Sequence, residues 1–396
     1  MVKIMPQTCL GNCIECGKCT RSTILDEFDT ALATVKQRNG YGIAIDIGTT
    51  TVVIALIDLS DGVPVLRHSF LNPQRALGPD VITRIEAANK GKLETLRESI
   101  TKSISAGINK ILSKHNVKPE RVVDISIGCN TVMTYLLLGL PCQSLGAAPF
   151  KPAYSISPSY NSREVFSNTE VNCDVRIIPW FGAFIGGDIT AGMAYLLFAA
   201  KKRFMLIDLG TNGEVALYDN GKLTVTATAA GPAFEQPVLA AKESFRGASE
   251  VISALAGLVK AGEINKRGAP KDESIFTRQQ IGDIQLAKSA VRSGIEILLE
   301  DNELKPDDLD AVYLAGGIGQ AMNIDDAIAI GLLPEELKSK SLPAGNSSLA
   351  GAVALLIGPE KVRENISSLL NEVSEVNLAT HPKFSNYFME HIMFSQ

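Results

Sequence analysis

Two stretches of this 396-residue chain share one pattern, and that pattern decides the fold. The first is GIAIDIGTTTVVIALID, from Gly42 to Asp58, and the second is RFMLIDLGTNGEVALYD, from Arg203 to Asp219. Each reads as an apolar strand that ends in an aspartate, a turn of small residues and a second apolar strand. Asp46 and Asp208 occupy the same point of the two copies. The repetition predicts two similar lobes with one hairpin each.

The turn of each hairpin contains residue types that suit phosphate. Backbone N–H groups and hydroxyls in a tight turn form a concave set of donors for phosphate oxygens, and the preceding carboxylate can hold hydrated magnesium. One such hairpin alone is equally well an ordinary β-turn, so the specific signal is the pair, with the hairpins facing each other from two lobes. The expected phosphate contacts are Gly48, Thr49, Thr50, Gly210, Thr211 and Asn212.

A glycine-rich stretch occurs later in the chain. AVYLAGGIGQAMN, residues 311–323, is a buried-strand run that ends in Gly316, Gly317 and Gly319. Missing side chains there let a flat purine or ribose approach the backbone. The Rossmann fingerprint is not met, because Met322 stands where its last glycine is required. We therefore expect an adenosine contact of another kind.

The apolar segment 177–200 could be mistaken for a membrane span. Asp188 lies at its centre, where a carboxylate in lipid would be costly, and its glycines interrupt a continuous helix. We read the segment as a strand, a turn and a helix of the protein core. Asp188 is then a functional acid, and the role of helix N-cap before Ile189 is physically compatible with it.

Four of the seven cysteines lie within eleven residues, with spacing C-x3-C-x2-C-x2-C. Clustered thiolates can wrap one small metal centre, and CIECGKC is similar to the ligand run of a ferredoxin, which favours a 4Fe-4S cluster. Structural zinc and unligated thiols remain alternatives, although no second pair of closely spaced cysteines follows. We expect the other three cysteines to pack. The candidate ligands are Cys9, Cys13, Cys16 and Cys19.

The composition excludes several classes of protein. Apolar residues are 45% and charged residues 20% of the chain, as in folded soluble proteins. The net charge of −5 disfavours nucleic acid as a partner. The four histidines are too few and too scattered for a histidine-built zinc site. No signal-peptide run opens the sequence, so we expect a cytoplasmic protein in a reducing compartment, without a membrane partner.

The order of these elements resembles the superfamily of actin, the heat-shock ATPases and the sugar kinases. The resemblance implies an α/β, two-lobed actin-like ATPase fold of duplicated ribonuclease H-like lobes, with mixed sheets flanked by helices. GNSSLAGAVALL, residues 345–356, matches the second connecting helix of that fold, and Ala191 with Gly192 would be small residues of the helix crossing. By this resemblance Asp46 and Asp208 hold Mg²⁺ and its water shell, and Asp188 orients the attacking water. Glu214 is a second acid.

A narrower resemblance is to the ATPase domain of the reductive activators of corrinoid enzymes. It rests on NPQRALGPDVITRIEAA (72–88), GCNTVMTYLLLG (128–139), AAPFKP (147–152), GPAFE (231–235) and LAKSAVRSGIEILL (286–299). The resemblance implies an ATPase that uses ATP and an iron-sulfur centre to return a corrinoid protein from Co(II) to Co(I). Its implied partners are the corrinoid protein and a low-potential electron donor such as a ferredoxin. A homodimer is left open.

We expect four segments: 1–40 as a cysteine-rich iron-sulfur segment and linker, 41–188 as lobe I, 189–345 as lobe II with its connecting helix, and 346–396 as the return helix and C-terminal segment. Long relatives of this type carry a 2Fe-2S domain before the ATPase, and only about forty residues stand there in this sequence. One alternative function is a non-redox ATPase or small-molecule kinase with zinc or free thiols. Another is an activator of acyl-CoA dehydratases, whose cluster cysteines lie inside the ATPase fold.

Overall fold

The computed structural model describes residues 38–394, apart from 167, 200, 229, 236–244 and 246. The described chain forms two compact units. The first combines residues 38–199 with Ser347–Asn371, and the second combines Lys201–Asn346 with the residues from Glu372 onward. The helix Gly187–Leu196, which carries Asp188, therefore lies wholly in the first unit, whereas the expected segments divide it after Asp188 between lobe I and lobe II.

Six strands form a mixed sheet in the first unit: β1 (Tyr41–Ile47), β2 (Thr51–Asp58), β3 (Val63–Leu71), β4 (Val122–Cys129), β5 (Tyr160–Asn161) and β6 (Asp174–Ile177). Their order across the sheet is β3-β2-β1-β4-β6-β5. The first three strands form an antiparallel meander, β4 pairs parallel with β1, and β6 pairs parallel with β4.

Six strands also form the sheet of the second unit: β7 (Arg203–Leu209), β8 (Gly213–Asp219), β9 (Lys222–Thr228), β10 (Ala311–Ala315), β11 (Ser341–Gly345) and β12 (Val373–Glu375). Their order is β11-β10-β7-β8-β9-β12. The run β9-β8-β7-β10-β11 repeats β3-β2-β1-β4-β6 with the same parallel and antiparallel pairings. The duplicated lobes that the hairpins predict are confirmed.

Helices cover the sheets of both units. In chain order they are α1 (Val81–Ala87), α2 (Leu93–Lys114), α3 (Thr131–Leu138), α4 (Gln143–Gly146), α5 (Ser162–Val165), α6 (Gly187–Leu196), α7 (Ala248–Lys260), α8 (Arg278–Asp301), α9 (Gly316–Gly319), α10 (Ile324–Ala329), α11 (Ser347–Ile357), α12 (Pro359–Glu372) and α13 (Phe384–Glu390). A kinked stretch, Ala88–Lys92, joins α1 to α2, and Lys90 and Gly91 have non-helical backbone angles within it.

The central strands are apolar without alternation because helices cover both of their faces. In β1 the residues from Gly42 to Ile45 are all buried, and in β7 those from Phe204 to Ile207 are. Each unit has its own hydrophobic core around these strands. In the described chain no helix is both long and apolar enough to cross a membrane. The segment 177–200 instead contains the end of β6 and the ten-residue helix α6.

Helices α6 and α11 of the first unit touch backbone to backbone. A Cβ atom on Gly351 of α11 would overlap the carbonyl group of Ala191 on α6. A Cβ atom on Gly128 near the end of β4 would lie 2.5 Å from the Ser348 hydroxyl of α11. These small residues bring both helices close to the ends of the central strands, where Asp46 and Asp188 lie.

This contact predicts opposite results for two glycine-to-alanine substitutions in helices. Gly351→Ala should destabilise the protein by about 2 kcal/mol, because the added methyl group overlaps backbone that cannot move alone. Gly257→Ala in α7 is the matched control, since nothing lies within 4 Å of its Cβ position. That control should stabilise by about 0.5–1 kcal/mol through helix propensity. Denaturant unfolding of both variants measures the difference, and an equal gain in stability in both would contradict the packing.

Candidate functional site

The first hairpin turns in three residues, Gly48 to Thr50, between β1 and β2. The Gly48 N–H donates to the Thr51 carbonyl at 3.0 Å and closes the turn. A Cβ atom at Gly48 would lie 2.8 Å from that carbonyl oxygen, so the close approach requires glycine. The three turn residues thus lie together just after Asp46, as the sequence predicts.

Asn72, which follows β3, fixes the backbone of this turn. Its side-chain Nδ2 donates to the Gly48 carbonyl at 2.9 Å, and its own N–H donates to the Thr50 carbonyl at 2.9 Å. In a trans peptide the carbonyl and the next N–H point in opposite directions. Holding the Gly48 carbonyl toward Asn72 therefore turns the N–H of Thr49 the other way. Sequence analysis did not assign Asn72 to the site, although NPQ opens a stretch on which the family resemblance rests.

Asn130 orients the Thr49 hydroxyl. It follows β4 and caps α3, because its Oδ1 accepts from the Met133 N–H at 2.9 Å. Its Nδ2 donates to Thr49 Oγ1 at 3.2 Å. Only 7% of Thr49 is exposed. Thr49 is therefore largely buried, and Thr50 is the more exposed of these two threonines.

Asp46 and Asp188 place two carboxyl groups at this end of the first sheet. Asp46 Oδ1 accepts a hydrogen bond from Ser348 Oγ at 2.8 Å. Asp188 lies in the first turn of α6, and its Oδ1 accepts from the Ile189 N–H at 2.9 Å. The N-cap of α6 is Gly186, so the alternative role of Asp188 as the N-cap is wrong. A Cβ atom at Gly186 would overlap the Asn130 backbone, and this contact ties the start of α6 to the end of β4.

The electrostatics of this pair fit a divalent cation. Burial, and to a smaller extent the neighbouring Asp46 carboxylate, raise the pKa of Asp188 to about 7, against the hydrogen bond from the Ile189 N–H, which lowers it. Each of two close carboxylates disfavours ionisation of the other, and a cation bound beside Asp46 would relieve the repulsion. The donor set is therefore suited to Mg²⁺ with its oxygen ligands.

The second hairpin has the same length of turn, Gly210 to Asn212, between β7 and β8. The Gly210 N–H donates to the Asn212 carbonyl at 2.9 Å. Asp208 near the end of β7 lies opposite Glu214 in the ladder, so the two predicted acids are neighbours. Thr211 Oγ1 donates to the carboxylate of Glu235 at 3.2 Å. Glu235 ends the GPAFE stretch and was not among the predicted site residues.

The glycine-rich stretch packs directly on this hairpin. Gly316 starts α9 with φ +79°, and a Cβ atom there would overlap Asp208 Oδ1. The missing side chain of Gly316 thus makes room for the Asp208 carboxylate rather than only for a ligand. Gly317 is exposed and has nothing within 4 Å of its Cβ position, whereas Gly319 is buried. Gly317 is therefore the residue of the three with open space beside it.

The four predicted cluster ligands, Cys9 to Cys19, lie outside the described residues. Among the residues that are described, no group of three or more histidine, cysteine, aspartate or glutamate side chains could hold a metal ion. The other three cysteines are free and buried, which confirms that they pack. Burial raises the pKa of the Cys142 thiol to about 11 and that of Cys173 to about 12, so both are inert thiols at neutral pH.

The raised pKa of Asp188 predicts a pH-dependent stability. The folded protein keeps a proton on Asp188 that the unfolded chain releases above about pH 4, so this contribution to stability is lost as the pH rises from there to about 7. Asp188→Asn mimics the protonated acid and lacks this loss. In nucleotide-free and metal-free protein, its melting temperature should exceed that of the wild type by a margin that grows between pH 5 and pH 8. Parallel curves over that range would contradict the shift.

Comparisons with known proteins agree with this geometry. A family profile described as RACo middle region matches residues 41–201, and one described as the C-terminal domain of RACo, the ASKHA domain, matches 202–241 and 264–396. The chain is 30% identical over 428 aligned positions to the corrinoid activation enzyme RamQ of Eubacterium limosum, covering 91% of this chain and 71% of that protein.

Two further relatives are similar over most of their length. The [Co(II) methylated amine-specific corrinoid protein] reductase of Methanosarcina barkeri is 22% identical over 417 positions, covering 88% of this chain and 76% of that protein. A solved structure, the reductive activator for corrinoid,iron-sulfur protein, superposes with a TM-score of 0.79 at 29% identity, covering 91% of this chain and 67% of that one. With its two actin-like halves and these matches, the chain belongs to the RACo family of corrinoid reductive activators.

Proposed function

We propose that this protein uses ATP to drive the reduction of Co(II) to Co(I) in a corrinoid protein of a methyltransferase system. The observation that carries the proposal is the duplicated aspartate hairpin in a chain that belongs to the corrinoid activator family. The hairpins support ATP as the ligand, and membership of the family supports a corrinoid protein as the acceptor of the electron.

The chemistry explains why such a reaction needs ATP. Adding one electron to Co(II) gives Co(I), and this couple lies below the potential of ordinary cellular donors. For a one-electron step, about 59 mV corresponds to a tenfold change in equilibrium. A low-potential donor of the ferredoxin class supplies the electron. ATP shifts the balance if the nucleotide-bound activator prefers the conformation of the corrinoid protein that is easier to reduce.

The residues of the two hairpins divide the work on ATP. Gly48, Thr49 and Thr50 contact phosphate oxygens from the first unit, and Gly210, Thr211 and Asn212 do so from the second. Asp46 and Asp208 would hold the magnesium ion through its water shell. Asp188 would orient the attacking water and, as a carboxylate, accept its proton.

Three further groups complete this assignment. Glu214, opposite Asp208 on the second hairpin, is a second acid for the metal's water shell. Gly317, which has open space beside it, lets the adenosine approach the backbone, while Gly316 makes room for Asp208 and Gly319 is buried. Thr211 would contact phosphate through its backbone N–H, because its hydroxyl proton is donated to Glu235.

The N-terminal cysteines are assigned to a 4Fe-4S cluster in this proposal. Cys9, Cys13, Cys16 and Cys19 would hold it, and it would supply a one-electron relay between the donor and the corrinoid. Support for this assignment comes from the spacing of the cysteines in the sequence alone. Structural zinc is the alternative occupant of the same thiolates.

The cluster assignment predicts the metal content of the purified protein. After anaerobic purification we expect about four iron and four acid-labile sulfide per chain, the content of a 4Fe-4S cluster. Cys16→Ser should remove most of the iron, whereas Cys142→Ser, at a buried free cysteine, should retain it. Iron and sulfide assays measure this. Stoichiometric zinc without sulfide would reject the cluster.

Anaerobic absorbance spectroscopy tests the proposed function. With a corrinoid protein, a reductant and this protein, we expect the Co(II) band to be replaced by the Co(I) band only when ATP is added. Asp208→Asn should remove the ATP-dependent change, because the water shell of the magnesium ion loses a charged hydrogen-bond acceptor. ATP hydrolysis without any change in cobalt, across candidate corrinoid proteins, would contradict the proposal and favour a non-redox ATPase.

A further inference from the structure

The third carbonyl of the first hairpin turn is held by a buried arginine. Asn72 takes the carbonyls of Gly48 and Thr50, and Arg84 Nη2 donates to the carbonyl between them, that of Thr49, at 2.6 Å. The Nε of Arg84 donates to the Gly78 carbonyl at 2.9 Å. Because a trans peptide points its carbonyl and its N–H in opposite directions, Arg84 turns the N–H of Thr50 away from itself.

The charge of Arg84 has unusual surroundings. Its side chain, on α1, is 0% exposed. Its Nη1 lies 3.5 Å from Gln74 Oε1 and 3.3 Å from Met133 Sδ, so every hydrogen-bond partner of the guanidinium in the described chain is neutral. Within that part of the chain no carboxylate reaches ion-pair distance of it. A buried charge without a partner of opposite sign is costly, which makes the position hard to explain by packing alone.

The wider field around Arg84 does not compensate its charge. Asp80, the N-cap of α1, favours the charged form of Arg84, and Arg75 opposes it. Burial is the largest influence and lowers the pKa of Arg84 to about 10. At neutral pH the guanidinium is still charged. A full positive charge therefore lies directly behind the turn that the proposed function assigns to phosphate.

We propose that Arg84 is the positioning residue of the first phosphate turn, and that its uncompensated charge makes this turn selective for polyphosphate over uncharged ligands. The guanidinium fixes the Thr49–Thr50 peptide and supplies a positive potential that the phosphates of the nucleotide neutralise. This inference rests on the proposed function, because it takes the first hairpin to be a nucleotide site.

A purely structural arginine would behave differently. If Arg84 only stabilised the turn at Gly78, replacing it would weaken the binding of every ligand to the same degree. If its charge acts on phosphate, the loss of affinity in the variant grows with the number of phosphates in the ligand. Adenosine, ADP and ATP form a series in which the nucleoside is constant and the charge changes.

Two variants separate the charge from the hydrogen bonds. Arg84→Gln removes the charge and most of the donors. Gln74→Glu leaves Arg84 and its bond to Thr49 in place but puts a carboxylate beside the guanidinium, at the position of the present Gln74 oxygen. The new ion pair keeps that glutamate ionised and cancels the potential of Arg84. Arg97→Gln is the control, since Arg97 pairs with Glu94 on the same unit at 3.3 Å.

Calorimetric binding of the three ligands to the full-length variants gives the result. We expect Arg84→Gln to weaken ATP binding about 30-fold, the worth of a hydrogen bond to a charged group, and ADP binding less. The affinity for adenosine should stay within about twofold of the wild-type value, because the nucleoside carries no negative charge that interacts with Arg84. Gln74→Glu should show the same order of losses in protein whose folding is verified by circular dichroism, since the change also removes the bond from Gln74 Nε2 to the Leu96 carbonyl. Arg97→Gln should match the wild type for all three ligands.

Three outcomes decide the inference. Equal losses for ATP and adenosine in Arg84→Gln would make the arginine structural only. Unchanged ATP binding in Gln74→Glu would overturn the role of the charge, and this variant decides the matter alone if Arg84→Gln does not fold. A wild-type protein that binds adenosine but gains nothing from phosphates would overturn it as well. Wild-type protein that binds none of the three ligands would instead contradict the proposed function.

Discussion

The direction of three consecutive peptide planes governs the first unit's candidate site. Asn72 and Arg84 hold the carbonyls of Gly48, Thr49 and Thr50 toward the protein interior, and planar trans peptides then turn the following N–H groups the opposite way. The turn acquires its polarity from donors behind it and not from its own side chains. Asn130 likewise donates a hydrogen bond to the Thr49 hydroxyl and so orients it. The three-residue hairpin turn becomes a candidate anion site because the buried Asn72 and Arg84 beneath it donate hydrogen bonds to its carbonyl groups.

The two halves of the molecule reach similar architecture by different local means. In the first unit, the aspartate of the hairpin accepts from Ser348 and has the second carboxyl of Asp188 beside it. In the second unit, the space beside Asp208 is made by Gly316, and Thr211 is oriented by Glu235. The two units share a strand order, whereas the raised pKa of Asp188 belongs to the first unit.

Sequence alone predicted the local features and missed the distant ones. The hairpins, the strand before Gly316 and the helix after Gly186 could be read because each is a continuous pattern of apolar and small residues. Arg84 could not, because it meets Thr49 across 35 residues and an arginine on a short helix usually faces water. Asn72 and Glu235 lay in stretches that carried the family resemblance but had no local chemical signature. The N-cap role weighed for Asp188 failed because Gly186 and Asp188 are both compatible with a helix start, and only the backbone geometry separates them.

The central claim is that the two hairpins are the phosphate-binding elements of an ATP-driven activator. Hydrogen exchange of the backbone amides tests it, measured by mass spectrometry with and without MgATP. Amides that donate to phosphate oxygens exchange more slowly than amides that face water. The account predicts slower exchange on adding MgATP in peptides that contain Gly48–Thr50 and in peptides that contain Gly210–Asn212, with little change in the kinked stretch Ala88–Lys92. MgATP binding that leaves exchange in both hairpins unchanged would contradict the account.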